Sequence, residues 1–324
     1  MAADSCADRI CIGTDEAGYG PNLGPLVIVA TAWELDSDLY CRDLRQQLSE
    51  VVTDDARQRH QRLLVADSKS VYSSGDSLEA LEVSVLSFLK TLCASPNSVA
   101  ELGQLLAPDL FTQEYTAEPW NDPADSPVLP ADCLAEVIAE WCDLLNQEMQ
   151  NSGCRLRGII AEIVFPERLN RLLDLKGSKG AVLSDATLQL VKTLHDRHAA
   201  DHYEIICDRH GGRSRYDELI AEQFEDQFVF RIEETRQVSR YRTGNVEFCF
   251  RTRAEELLPV ALASMTAKYL RELLMNQFNS WWLKQVPGLR PTRGYPVDAK
   301  RFREDVDEHR ANIGIADHVF WRNR

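Results

Sequence analysis

The spacing of apolar and polar positions changes period several times along this chain, and each change predicts an element. Residues 10–33, ICIGTDEAGYGPNLGPLVIVATAW, set two short β-branched runs on either side of a Gly/Pro/Asn-rich stretch, the pattern of a β-hairpin. A long, mostly helical acidic stretch follows, with apolar residues at helical spacing in LEALEVSVLSFLKTL. From about Ala94 to Pro130, Pro, Ser and Asp accumulate, which reads as a surface excursion. It bridges to a second helical segment, CLAEVIAEWCDLLNQEM. The second half alternates. RGIIAEIVF reads as a strand, SDATLQLVKTLHDRHAA as a helix, HYEIICD as a strand ending on an acid, DELIAEQF as a helix and QFVFRIEE as a strand. VEFCFRT is a further strand running into a long helix from about Ala254 to Leu283. A hairpin followed by alternating strands and helices predicts a mixed α/β sheet flanked by helices, in one domain that carries insertions.

Composition narrows the class. At 324 residues the chain has room for one large domain or two small ones, and 44% hydrophobic with 27% charged residues excludes a disordered or fibrous protein. The longest apolar run, Pro25 to Trp33, is too short to span a bilayer, and the opening MAADSCADRICIG lacks the features of a signal peptide. The expectation is a soluble, cytoplasmic protein. Nine cysteines, an odd number with no CxxC or Cys/His cluster, argue against a disulfide framework or a zinc site. Cys11, Cys207 and Cys249 lie in strand-like runs and are expected to be buried, inert thiols. The net charge of −15 argues against a polyanionic partner, but it is unevenly spread. Residues 1–155 hold 9 Lys and Arg against 26 Asp and Glu, whereas residues 156–324 hold 27 against 25. Arginine-rich stretches such as RHGGRSRY and RQVSRYR fall in the second half, where a polyanion can still dock.

The densest chemical signal is Asp15-Glu16-Ala17-Gly18-Tyr19-Gly20-Pro21 at the end of the first strand. Gly18, Gly20 and Gly24 allow a sharp bend and close approach of a ligand; the alternative is a Gly-rich hairpin whose acids are merely solvated. The glycines do not open a helix and no GK[ST] follows, so neither a Rossmann fingerprint nor a P-loop is present. Asp208 closes HYEIICD, beyond whose end an α/β sheet binds ligands, or else it caps the following turn. If its strand runs parallel to the first, Asp15 and Asp208 sit about 5 Å apart, a spacing that suits a shared hard cation such as Mg²⁺. Glu255 and Glu256 stand in the first turn of the long helix, where the dipole favours acids in any case. Carboxylates on three elements can make a two-metal phosphodiester hydrolysis site.

Together these segments resemble type 2 ribonuclease H, which cleaves the RNA strand of RNA–DNA hybrids. DEAGYGPNLGPLVI is similar to the family's DEAGRGPLAGPVV signature, and ADSKSV to its DSK box. PERLN, IICD, ALASMTAKYLRELLM and RGYPVDAKRF match further family segments in order. The resemblance implies a ribonuclease H-like mixed sheet and four carboxylates that bind Mg²⁺ or Mn²⁺. Position by position, these are Asp15, Glu16, Asp208 and Glu255, with Glu256 as the fallback for the fourth. It further implies that Gly18, Tyr19 and Gly20 occupy the family's Gly-Arg-Gly motif, which reads the RNA 2′-hydroxyl, and that Tyr295 stacks on the sugar at the RNA–DNA junction. Lys69 and Arg213 are candidates for phosphate contact or are solvated surface charges. The chain departs from the family at Tyr19, at the Glu in the fourth position, and in a mostly helical acidic insertion at about 72–155. The alternatives are a non-catalytic nucleic-acid- or protein-binding domain of this fold, or a nuclease of this fold acting on another substrate.

Overall fold

In the computed structural model of the protein, which describes residues 7–72, 77–224 and 227–323, nine strands are formed. They are β1 (Ala7–Ala17), β2 (Leu26–Leu35), β3 (Val52–Thr53), β4 (Leu63–Leu64), β5 (Cys154–Val164), β6 (Ala200–Asp208), β7 (Phe230–Glu234), β8 (Val238–Thr243) and β9 (Val246–Arg251). Seven of them form one sheet in the order β5-β2-β1-β6-β9-β8-β7, and β3 pairs with β4 in a small parallel ladder. The β1–β2 hairpin and β5 are antiparallel, β6 and β9 run parallel to β1, and β8 and β7 return antiparallel. This is the mixed, helix-flanked α/β sheet that the sequence predicts.

Alternation along the central strands gives the sheet two apolar faces. Cys11, Val27, Val29, Trp33 and Ile206 pack beneath the helix Leu258–Gln285 together with the helices Glu79–Thr91 and Ala135–Asn151. Ile10, Ile12, Ile28, Ile205 and Phe248 pack on the other side against the helices Lys179–Arg197 and Asp217–Gln223. The 28-residue helix Leu258–Gln285 is buried on nearly all sides, as a helix apolar around its circumference must be. Its start lies hard against β1. A Cβ on Gly13 would stand 2.4 Å from the carbonyl carbon of Pro259, so only glycine permits this approach. Thr31 Oγ1 donates to the Pro259 carbonyl at 2.9 Å and fixes the same junction from β2.

Three expectations are corrected, and one stretch left without an element proves to be a strand. The stretch from Ala94 to Pro130 is not a surface excursion: it folds into the helices Val99–Leu106 and Phe111–Ala117, whose Val99, Leu102, Leu106, Phe111 and Tyr115 enter the main core. The helix-breaking residues there separate short amphipathic helices. The arginine-rich RQVSRYR contains β8, in which exposed arginines alternate with the buried Ser239, Tyr241 and Thr243. The long helix begins at Leu258 rather than at Ala254, because Ala254–Glu256 makes a separate 3₁₀ turn. Finally, Cys11 is not a free thiol. It is joined by a disulfide to Cys41, with the Cα atoms 5.7 Å apart. Cys207 is a buried free thiol pushed up to about 12 by burial, and Cys249 is half-buried; Cys6 lies outside the described residues.

Buried polar groups tie the acidic helical segment to the sheet layer. The fully buried Glu82 carboxylate accepts the backbone N–H groups of Ala131, Asp132 and Cys133 at 2.8, 2.6 and 2.9 Å. The Tyr269 hydroxyl of the long helix donates to it at 2.6 Å. Among the described residues no helix is long and apolar enough to cross a membrane.

Candidate active site

The last residue pair between β1 and β6 is Thr14 with Cys207, so Asp15 and Asp208 stand one step beyond it on adjacent parallel strands. Both belong to the face that carries the long helix, and adjacent strands lie about 4.8 Å apart. The close approach at Gly13 draws the Ala254–Glu256 turn toward the same strand ends. Arg253, which precedes that turn, adopts a left-handed conformation (φ 56°, ψ 42°), an unusual state for a residue with a side chain. The result is a cleft of about 870 Å³ whose walls include Asp15, Glu16, Lys69, Asp208 and Glu255. Glu256 points elsewhere and pairs with Arg251 at 2.8 Å, so of the two glutamates it is Glu255 that enters the cleft.

Electrostatics in the cleft are unbalanced toward acid at its floor. Burial, together with the Asp208 and Glu255 charges, raises Asp15 to about 7, although the Ser264 hydroxyl bonds to it and opposes the rise. Burial and the charges of Asp15 and Asp208 raise Glu16 to about 8, with Lys69 working the other way. Asp208 is raised by burial and by Glu255. Lys69 loses hydration by burial, yet Asp67, Asp15, Glu255 and Asp208 surround it and hold it above the ordinary lysine value. Around this floor stand Arg209, Arg215, Arg236 and Arg253, all from the second half of the chain. Among the described residues, none that lines the cleft comes from 72–155.

The other sequence candidates lie around the loop that follows Glu16. Gly18 has φ +91° and Gly24 φ +75°, and Gly20 is exposed. A Cβ on Gly20 would meet Tyr295 Cε1 at 3.9 Å, so the structure brings Gly20 and the half-exposed Tyr295 together. Tyr19 turns away and packs against the second core cluster, its hydroxyl lying over Gly211. Burial and the Glu16 charge raise the Tyr19 phenol, and Arg213 opposes this. Arg213 stands near Tyr19 and is absent from the cleft lining, where Arg209, Arg215, Arg236 and Arg253 take its place.

Three of these four lie in the basic stretches singled out from the sequence, Arg209 and Arg215 in RHGGRSRY and Arg236 in RQVSRYR, whereas sequence reasoning missed Arg253. Arg209 directly follows Asp208, which is a legible signal, but Arg236 arrives only through the turn between β7 and β8. Sequence reasoning also missed Ser264, which bonds Asp15 and whose Oγ stands 3.0 Å from Ser68 Oγ.

The donor set was tested for a hard divalent cation. Among the described residues no group of three or more His, Cys, Asp or Glu is arranged so that it could hold a metal ion. The cleft nevertheless offers only carboxylate oxygens as strong donors, and Asp208 Oδ1 is buried without a hydrogen-bond partner. Mg²⁺ takes one or two carboxylates and keeps several waters, so an open, all-oxygen, acid-rich floor fits it, while a tetrahedral nitrogen and sulfur site is excluded.

No family model matches the sequence, and no curated protein matches it. Among solved structures the chain is similar to ribonucleases H of types 2 and 3. Ribonuclease HII of Archaeoglobus fulgidus, solved in complex with PCNA, is 18% identical with a TM-score of 0.48, over 97% of this chain and 94% of that one. Ribonuclease H2 of Pyrococcus horikoshii is 15% identical with a TM-score of 0.47, over 96% and 92%. Bst-RNase HIII in complex with Mn²⁺ is 15% identical with a TM-score of 0.39, over 99% and 68%.

Proposed function

We propose that this protein is a metal-dependent endoribonuclease of type 2 ribonuclease H character, hydrolysing the RNA strand of RNA–DNA hybrids. The observation that carries the reading is the meeting of Asp15, Glu16, Asp208 and Glu255 in one cleft from β1, β6 and the turn before the long helix, in the order of the family's motifs. A module that only binds nucleic acid gains nothing from clustered acids facing a polyanion. These four carboxylates would hold one or two Mg²⁺ or Mn²⁺ ions, which when bound activate water and stabilise the leaving oxygen.

The chain's own groups supply the rest. Ser264 holds the Asp15 carboxylate by a hydrogen bond. Lys69, kept charged by the acids around it, is a cation in the cleft wall that can take a phosphate oxygen. Arg209, Arg215, Arg236 and Arg253 draw the phosphodiester backbone toward the cleft by charge. Gly20 and Tyr295 together face the sugar beside the scissile bond, where the 2′-hydroxyl separates RNA from DNA. None of the described residues of the acidic segment at 72–155 lines the cleft, which favours docking of a polyanion there. The test is incubation of the purified protein with a labelled RNA–DNA hybrid and Mg²⁺ or Mn²⁺, with Asp15→Asn as control. Cleavage of the RNA strand by the wild type alone is expected; equal cutting by Asp15→Asn would refute the assignment.

A further inference from the structure

The Gly18–Gly24 loop is held from below by a residue that the reaction chemistry does not use. Arg322 is fully buried, and its Nη1 donates to the Gly18 carbonyl at 2.7 Å and to the Gly24 carbonyl at 3.4 Å. It thus bridges the two ends of the loop. Both carbonyls turn inward because both glycines have positive φ, a state closed to other residues here. A Cβ on Gly18 would meet the Pro25 carbonyl oxygen at 2.5 Å, and one on Gly24 would meet Met275 Sδ at 2.2 Å.

The segment bearing Arg322 is itself pinned. Its backbone N–H donates to Asn22 O at 2.9 Å, and Asn22 Nδ2 donates back to Arg322 O at 3.3 Å. Asn170 Nδ2 donates to the carbonyls of His318 and Trp321 at 3.1 and 2.8 Å, and Asn170 Oδ1 accepts the Asn323 N–H at 2.6 Å. Asn170 therefore sets the reach of Arg322.

A buried guanidinium is costly without a carboxylate partner, and among the described residues none pairs with Arg322. Burial and the neighbouring Arg271 lower it to about 9, so it remains charged at neutral pH. Its Nε and Nη2 have no hydrogen-bond partner. Arg271, equally buried, donates to the Leu23 and Arg293 carbonyls at 3.4 and 3.1 Å. Two cations thus sit beneath a loop whose own arginine position is filled by Tyr19.

We infer that Arg322 is a positioning residue for substrate recognition: it fixes the Gly18–Tyr19 peptide plane, so that the loop presents its outer edge, beside Gly20 and Tyr295, to the sugar-phosphate backbone of the hybrid. In a trans peptide the N–H points opposite to the C=O, so anchoring Gly18 O inward turns the Tyr19 N–H outward. The inference rests on the proposed hybrid-cleaving activity for its substrate but not for its geometry. Arg322→Lys keeps the charge but is shorter, so its ammonium does not reach the position from which Nη1 meets both carbonyls.

Amide hydrogen exchange, thermal melting and steady-state hybrid cleavage are measured on the wild type and on Arg322→Lys. Exchange is expected to speed up at least tenfold at residues 18–24 and to stay unchanged in β1 and β6. KM is expected to rise about tenfold, with kcat within about threefold. Asn170→Ala, which loosens the anchor without removing the charge, should reproduce the exchange effect and replaces Arg322→Lys if that variant fails to fold. Wild-type exchange at 18–24 in both variants, or a fall in kcat with KM unchanged, would overturn the inference. If the wild type neither binds nor cuts hybrid, the proposed function fails, and the exchange data alone decide whether Arg322 holds the loop.

Discussion

Replacing Asp208 by Asn should abolish cleavage and yet stabilise the protein when no divalent cation is present. Asp15 and Asp208 stand one step beyond the last pair of the adjacent strands β1 and β6, so their charges stand about 5 Å apart, and two such charges repel by about 3 kcal/mol at an effective dielectric of about 20. Lys69 and water entering the open cleft offset part of this, leaving about 1–2 kcal/mol. With an unfolding entropy of about 2.1 cal/mol/K per residue over 324 residues, Tm should rise by about 2 °C. The pH dependence follows from the raised carboxyls. Unfolded, Asp15 and Glu16 ionise near 3.8 and 4.5; folded, they keep their protons to about 7 and 8. The folded state binds more protons between those values, so wild-type stability falls as pH rises through the window from about 4 to about 8. The advantage of Asp208→Asn should therefore vanish near pH 5 and be complete above pH 8. Differential scanning calorimetry at both pH values, with and without Mg²⁺, reads the effect. Added Mg²⁺ should stabilise the wild type more than the variant. A variant less stable than the wild type at high pH without cation, or a gap independent of pH, would refute the reasoning.

Further outcomes separate the remaining roles. Glu255→Gln should lower kcat at least a hundredfold, whereas Glu256→Gln, which loses only an exposed pair with Arg251, should stay within about threefold. Glu82→Ala leaves three backbone N–H groups without their acceptor and should cost about 3 kcal/mol or more, read as a Tm lower by about 4 °C or more, with cleavage retained below the transition. Tyr295→Ala removes a half-exposed ring, so Tm should hold while hybrid KM rises severalfold. Since position 19 lacks a guanidinium, a continuous hybrid should be cut more readily than a duplex with a single embedded ribonucleotide; equal rates would show that Tyr19, or the buried arginines beneath it, replaces that charge.

Much of the framework was legible along the chain because it depends on local periodicity. The β1–β2 hairpin, β5, β6, β9 and the helices Lys179–Arg197 and Asp217–Gln223 each carry a run of their own period, while the helix Pro166–Lys176 was not read, and Asp208 is read directly as a strand end. Where the pattern is short or charged, context decided instead. β8 alternates exposed arginines with Ser239, Tyr241 and Thr243, whose burial depends on the strands beside it, so the same letters show only a basic stretch with no element assigned. The helices between residues 99 and 117 are too short to announce themselves against Pro, Ser and Asp, and they exist because a core receives their apolar side chains. The pairing of Cys11 with Cys41 joins residues 30 apart that only the packed sheet brings together. The choice between Glu255 and Glu256 was likewise closed to sequence, since both sit in one 3₁₀ turn and the left-handed Arg253 sets which one faces the cleft. Arg322 carries no signal at all near its own position. Its meaning comes from a contact spanning some 300 residues, where a buried guanidinium meets two carbonyls that glycines alone could turn inward.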